Sequence, residues 1–165
     1  MNSHLNLIES KIVTQKQAVA KCVEWKKNGP IVFTNGCFDI LHSGHLHYLT
    51  SAASLGHKLI VGLNSDKSIA SLKGKNRPFN KEADRLLMLA SLAFIDAVIL
   101  FDEDTPIKLI ESVCPDVLVK GGDYKEEEIV GHQIVKKQGG KVISLEFLEG
   151  YSTTNFVQKI KNGKN

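Results

Sequence analysis

The sequence is poor in the features that mark several large protein classes. Its three cysteines, Cys22, Cys37 and Cys114, are odd in number and widely spaced, which argues against a disulfide framework and fits free thiols in a reducing compartment. Only four prolines occur in 165 residues, and internal repeats, low-complexity tracts and Pro-rich linkers are absent, so the chain reads as one continuous unit. No apolar run approaches the roughly 20 residues that a membrane helix needs. Met1 to Ser10 holds no basic segment followed by a long apolar one, so a secretory signal is not expected and the cytoplasm is the expected location. Charge of one sign is also lacking, since 21 Lys and Arg stand against 18 Asp and Glu for a net +3. With aromatics at 7%, the basic and aromatic interleaving of a nucleic-acid platform is missing. Neither nucleic acid nor a membrane is an expected partner, and local positive charge is left to serve a phosphorylated ligand.

What is present is an alternation of short apolar runs and helical patterns. A leading helix is predicted over about Gln15 to Lys27, within a leading segment 1–29 that precedes a core 30–165 of the same domain. Ile31 to Thr34 is apolar and β-branched and ends in Asn35-Gly36, as a buried strand does. Gly44 to Leu55 then carries helical spacing, with Ser43 as its predicted cap and Gly56 as its stop. Lys58 to Leu63 is a second strand, and a short helix precedes the Lys-rich stretch that follows it. A long helical pattern runs from a cap at Asn80 through Leu86, Leu87, Leu89, Ala90 and Ala93. Ala97 to Phe101, Val117 to Val119 and Val142 to Leu145 complete the strands. Between them lie helical patterns over Pro106 to Val113 and Glu126 to Lys137, and a last helix begins near Ser152. Strands apolar on both faces alternating with helices predict an α/β fold: a Rossmann-like, doubly wound, mainly parallel five-stranded sheet with helices on both faces. Ligands bind such sheets beyond the carboxyl ends of the strands.

Three polar loops fall at those ends: Asn35 through His45, Lys120 to Tyr124, and Gly150 to Asn155. A parallel sheet would bring all three to one rim. Gly36 permits close backbone approach, and the helix starting near Gly44 offers unpaired N–H groups to phosphate. His42 and His45 lie one helical turn apart and can face the same anion, where an imidazole stabilises the charge that builds up in phosphoryl or nucleotidyl transfer. That chemistry depends on positioning and charge neutralisation, with no protein nucleophile required. Two other readings of these residues stand beside it. The histidines could cap the helix, or Cys37, His42 and His45 could ligate zinc, although no fourth ligand at a familiar spacing accompanies them. Lys73 sits in the stretch Leu72-Lys73-Gly74-Lys75-Asn76-Arg77, suited either to folding over an anion or to an ordinary solvated loop. Lys120-Gly121-Gly122-Asp123-Tyr124 reads equally as a turn or as a nucleotide contact, and Ser152-Thr153-Thr154 as a helix cap or a phosphate site.

The segment Gly36-Cys37-Phe38-Asp39-Ile40-Leu41-His42-Ser43-Gly44-His45 resembles the GxFDxxHxGH signature of the cytidylyltransferase-like nucleotidyltransferases, and Ser152-Thr153-Thr154 resembles their late motif. The chain is most similar to the D-glycero-β-D-manno-heptose 1-phosphate adenylyltransferases. That similarity is carried by Val61 to Asp66, Leu72-Lys73-Gly74, Arg77-Pro78, Asp104-Thr105-Pro106, Lys120 to Tyr124 and Ser152 to Asn155, and it spans the chain from about Lys11.

The resemblance implies a role for each matching position. His42, His45 and Lys73 would be catalytic. Gly36, Cys37, Phe38, Gly44, Lys120, Gly121, Gly122, Asp123, Tyr124, Ser152, Thr153 and Thr154 would bind the nucleotide. Asn35, Asp39, Asn64 and Arg77 would bind the acceptor, with Asp39 toward sugar hydroxyls or, read without the family, a turn aspartate. ATP and a sugar 1-phosphate would be the substrates, with Mg²⁺ carried by the triphosphate and no metal ligand from protein side chains alone. A homodimer is expected, as is a separate sugar kinase to supply the acceptor. Glycerol-phosphate cytidylyltransferases typically carry arginines aligned near Phe94-Ile95-Asp96 and near Phe147-Leu148-Glu149, and both are absent here, which favours adenine. Transfer to glycerol 3-phosphate or phosphopantetheine, and a nucleotide sensor without catalysis, are the rival expectations.

Overall fold

In the computed structural model, which describes residues 3–146, 148, 151–161 and 163, the chain opens with two helices, α1 (His4–Glu9) and α2 (Gln15–Trp25). A capping box between Thr14 and Gln17 starts α2, satisfying two end groups reciprocally. The remaining elements alternate as β1 (Ile31–Gly36), α3 (Ser43–Ala53), β2 (Lys58–Asn64), α4 (Asp66–Lys73), α5 (Glu82–Ser91), β3 (Ala97–Phe101), α6 (Ile107–Val113), β4 (Val117–Gly121), α7 (His132–Lys137), β5 (Lys141–Leu145) and α8 (Thr153–Lys161). The five strands form one sheet in the order β3-β2-β1-β4-β5, and every pairing is parallel.

Strand side chains alternate between two apolar layers, as the period of two requires. Ile31, Phe33, Ile60, Ala97, Ile99, Leu118 and Val142 face one layer, which Ala18 and Cys22 of α2, Leu109, Ile110 and Val113 of α6, and Val135 of α7 cover. Val32, Leu59, Val61, Leu63, Val98, Val117 and Val119 face the other, under Tyr48, Leu49 and Ala52 of α3 and Leu89 and Ala90 of α5. Strands buried on both faces are why these runs read as continuously apolar. The leading segment belongs to the same packing, because Ile8 and Ile12 lie against the second layer and Ile12 bridges to Val98 beside β3.

The fold class is as the sequence predicts, and the differences are local. His42 is the cap of α3 and contributes no side-chain capping bond; its carbonyl accepts from His45 N and Leu46 N, so Ser43 is already helical. Lys81 caps α5 in place of Asn80, and the helix stops at Ser91, short of Ala93. The pattern over Glu126 to Lys137 divides into a 3₁₀ turn at Glu126–Glu128 and α7, with the chain reversing at Gly131 (φ 91). Helix α1 was not legible, its six residues being too few to show a period.

The order reverses between β1 and β4, because the chain runs outward from β1 through β2 to β3 and then returns to place β4 on the other side of β1. This is the switch point at which open parallel sheets bind ligands, at the carboxyl ends of the strands. Gly36, Asn64, Phe101, Gly121 and Leu145 mark those ends.

Candidate active site

At the switch point lie two adjoining cavities of about 200 Å³ and about 490 Å³. The smaller is lined by the end of β1 and the loop that follows it (Asn35 to Asp39), His45 and Tyr48 of α3, Lys73, Lys120, Gly121, Tyr124 and Thr153. The larger shares Asn35, Gly36, Cys37, Lys73, Lys120 and Tyr124, then extends past Asn64, Asp104, Thr105 and Pro106 to Glu128, Ile129 and Val130. The first two of the loops predicted to share one rim, and Thr153 of the third, therefore meet there. Another cavity of about 310 Å³ lies around Lys26, Cys114 and Lys141, at the amino ends of the strands, where its polar groups are engaged with one another: Lys26 pairs with Asp116 at 3.5 Å and Cys114 Sγ donates to Gln138.

The histidine pair is held by its neighbours. Their rings stack with centroids 3.9 Å apart and planes 24° apart. Phe38 meets His45 edge-on at 5.4 Å, and Tyr151 lies parallel to His42 at 6.3 Å. The glycine between the two histidines is a matter of space. A Cβ on Gly44 would lie 2.8 Å from Tyr151 Cβ and 3.0 Å from His42 Nδ1, so any side chain there would push the His42 ring off its partner. Phe38 adopts a left-handed backbone (φ 43), which a non-glycine residue does only at a cost. In return its ring fills the space over Gly36, where a Cβ would sit 2.9 Å from it. Burial above all, then His42 and Lys73, pushes the His45 imidazole down to about 4, and burial lowers His42 as well. Both Nδ1 atoms are buried with no hydrogen-bond partner.

A buried polar lattice sets the loops around this pair. Asp39 is only 2% exposed and its carboxylate is fully engaged. Arg77 Nε donates to Oδ2 at 2.6 Å, while Phe79 N and Asn80 N donate to Oδ1 at 2.7 and 3.0 Å. Asn80 Nδ2 donates to the Asp39 carbonyl, and the Arg77 guanidinium lies 4.5 Å from the Phe79 ring. Asp39 and Arg77 thus pair with each other and fasten the segment after Lys73 to the β1–α3 loop; a ligand hydroxyl would compete with these bonds. Behind them Arg85, 0% exposed, donates to the carbonyls of Cys37, Asn64 and Asn80 at 2.7, 2.8 and 3.0 Å and to Asp66 Oδ1 at 2.8 Å. One guanidinium fork therefore ties the ends of β1 and β2 to α4 and α5. Tyr48 forms the floor, its hydroxyl bonded to Thr34 and to the Val119 carbonyl, and burial pushes its phenol up to about 12. Asn64 is buried, and its Nδ2 donates to Ser68 Oγ.

Among the predicted residues, Asn35, Gly36, Cys37, Phe38, Asp39, His45, Asn64, Lys73, Lys120, Gly121, Tyr124 and Thr153 line one or both cavities. His42, Gly44, Arg77, Gly122, Asp123 and Ser152 are not among the lining residues. His42 and Gly44 act on the cavity through His45, Arg77 through Asp39, and Gly122 through Ser144, whose Oγ donates to its carbonyl and accepts from Tyr124 N. Ser152 precedes α8, and its carbonyl accepts from Phe156 N. The side chain of Thr154 lies outside the described residues, as does all of Gly150. Tyr48 and Arg85 carry no motif that marks them in the sequence, and Asn80, expected there only as a helix cap, instead bonds to Asp39 and Arg85. Arg85 carried a signal, since it stands one helical turn before the buried Leu89 on the apolar face of α5, where an arginine must be paired.

The comparisons agree with this geometry. The model of the cytidylyltransferase-like family matches residues 33–159. Proteins named bifunctional protein HldE are 53% identical over 86% of this chain in Rhodopseudomonas palustris BisB18, 55% over 82% in Campylobacter concisus and 51% over 95% in Helicobacter hepaticus. The chain spans 29%, 28% and 32% of those relatives' lengths, respectively, so it corresponds to about a third of each or less. Among solved structures, a lipopolysaccharide core biosynthesis protein from Thermoplasma volcanium superposes with a TM-score of 0.59 at 29% identity, over 75% of this chain and 99% of that one. A pantoate-beta-alanine ligase from Francisella tularensis, 17% identical, shares the fold with a TM-score of 0.56 over 91% of this chain and 76% of its own. The chain belongs to the cytidylyltransferase-like family of nucleotidyltransferases.

Proposed function

We propose that the chain is an adenylyltransferase that joins ATP to D-glycero-β-D-manno-heptose 1-phosphate, forming ADP-heptose and pyrophosphate, for lipopolysaccharide core or surface-polysaccharide synthesis. The observation that carries the reading is the stacked His42–His45 pair, of which His45 lines the smaller cavity together with Lys73 and Lys120. The smaller cavity, with His45, Tyr124 and Thr153, is assigned to the nucleotide. The larger, with Asn64, Asp104, Thr105 and Glu128, offers acceptors for the hydroxyls of a sugar.

In the proposed reaction an oxygen of the acceptor phosphate attacks the α-phosphorus in line; that P–O bond forms as the bond from the α-phosphorus to the β-phosphate oxygen breaks, and pyrophosphate leaves with the electron pair. His45, lowered to about 4, is neutral at physiological pH. With its Nδ1 buried and unpartnered, an N–H placed there would be stranded, so the proton belongs on Nε2, free to donate to a phosphate oxygen as charge builds up. His42 backs this ring and keeps its angle. The first turn of α3 adds backbone N–H groups. Magnesium, carried by the triphosphate, would neutralise its oxygens, since among the described residues no trio of His, Cys, Asp or Glu converges to hold an ion.

A kinase acting on the sugar would supply the acceptor, and the homodimer is proposed on symmetry grounds alone. The test is product analysis by mass spectrometry after incubation with ATP or CTP and a panel of phosphorylated acceptors. ADP-heptose from ATP and heptose 1-phosphate is the expected product. Preferred use of CTP or of glycerol 3-phosphate would refute the substrate assignment, and absence of pyrophosphate with every acceptor would refute catalysis.

A further inference from the structure

The two cavities share only Asn35, Gly36, Cys37, Lys73, Lys120 and Tyr124. If each cavity holds one substrate, the reacting phosphates meet at this shared wall, because the new bond joins an oxygen of one substrate to a phosphorus of the other. Two of the six carry formal charge, Lys73 and Lys120. They differ in their surroundings. Lys73 is exposed at the end of α4, and Gly74 follows it in a left-handed conformation (φ 94). Lys120 is half-buried on β4, where it stands in register with Ser144 of β5, so its backbone is held by that strand.

Among the described residues no carboxylate or other acceptor is paired with the Lys120 ammonium; the ion pairs of the molecule use other lysines and arginines. With its side chain half-buried and no counter-ion beside it, the ammonium is left for the opposite charge of a ligand. The same environment lowers the pKa of Lys120, through burial first and then Lys73, with Cys37 opposing.

We infer that Lys120 is a catalytic residue of this centre, its ammonium contacting the acceptor phosphate and the α-phosphate together, and is not only part of the nucleotide-binding loop. This inference rests on the nucleotidyl-transfer reading. With one cation between two anions, Lys120 offsets the repulsion that opposes attack of one phosphate on another. The contact matters most when both substrates are present, so it affects turnover more than ATP affinity.

The experiment compares the wild type with Lys120→Met and Lys120→Gln, measuring pyrophosphate release at saturating ATP and heptose 1-phosphate, and ATP affinity by calorimetry without acceptor. Both neutral variants are expected to lose about 100-fold in kcat, as oxyanion-site deletions do, while ATP Kd changes by less than about threefold. ATP binding also reports that the variant is folded, and either folded variant decides. Turnover near the wild-type value, or a loss confined to ATP binding with kcat retained, would overturn the assignment while leaving the transfer reading intact. A wild type that releases no pyrophosphate with any acceptor would refute the transfer reading, and the role of Lys120 falls with it.

Discussion

Replacing Asp39 by Ala tests whether the buried lattice holds the Lys73 segment in place. The carboxylate is 2% exposed and pairs with Arg77 at 2.6 Å, where the guanidinium side chain is itself 19% exposed. It also accepts from the backbone N–H groups of Phe79 and Asn80 at 2.7 and 3.0 Å. Breaking one partner out of a buried pair costs about 3 to 5 kcal/mol. The two orphaned N–H groups, whose bonds to a charged acceptor are worth about 1.5 to 3 kcal/mol each, overlap with that figure because residues 77–80 can swing out to water once released. A loss of about 3 to 5 kcal/mol is therefore expected, or roughly 6 to 20 °C in Tm at about 2 to 4 °C per kcal/mol for a chain of this size. Asp39→Asn keeps an acceptor for the backbone groups and should lose about half as much. Urea unfolding measures both, and a double-mutant cycle with Arg77→Gln isolates the pair, with a coupling of about 2 to 3 kcal/mol expected. A loss under about 1 kcal/mol for the alanine variant, with no coupling to Arg77, would refute the idea that this carboxylate is structural. An unchanged stability with a sharply raised KM for the sugar phosphate would return Asp39 to the acceptor-binding role read from the sequence.

Because the folded chain holds His45 down at about 4 against an ordinary 6.5, the unfolded state binds more protons between these values; stability should rise with pH across that window, and the penalty should be complete below about 4. His45→Asn should flatten the slope of unfolding free energy against pH there, and an unchanged slope would contradict the burial of this ring. Gly44→Ala places a methyl group 3.0 Å from His42 Nδ1, and turnover should fall about 10- to 100-fold in a folded protein, by analogy with other small misplacements of catalytic groups; an active variant would mean that the ring stack is incidental. Arg85→Lys removes the fork that serves four acceptors and should cost about 2 to 4 kcal/mol in urea unfolding, whereas a cost near zero would show that the loops keep their places without it.

Much of this arrangement is readable from residue order because parallel strands are buried on both faces. Ile31 to Thr34 and Lys58 to Leu63 announce themselves as strands for that reason, and their common direction brings Asn35, Lys120 and Thr153 to one rim. Contacts made across long separations are not readable in the same way. Nothing near Asp39 in the chain says that its partners are Arg77, Phe79 and Asn80, nor does Arg85 disclose that it serves carbonyls from two strand ends. Helix starts mislead where propensity competes with tertiary demand. Ser43 is a better cap than His42, yet the backbone at position 42 takes the capping geometry (φ −145, ψ 169) that stacks the His42 ring on His45. The division of Glu126 to Lys137 was hidden because three consecutive glutamates are good helix formers, and Gly131 interrupts them only afterwards.

Pyrophosphate release by His42→Ala and His45→Ala, with ATP and heptose 1-phosphate in excess, bears on the central claim most directly. A stacked imidazole pair whose His45 ring lines the smaller cavity predicts a fall of about 100-fold or more in each variant, with far-ultraviolet circular dichroism like that of the wild type. Turnover close to wild type in both would contradict the assignment of the phosphate chemistry to this pair.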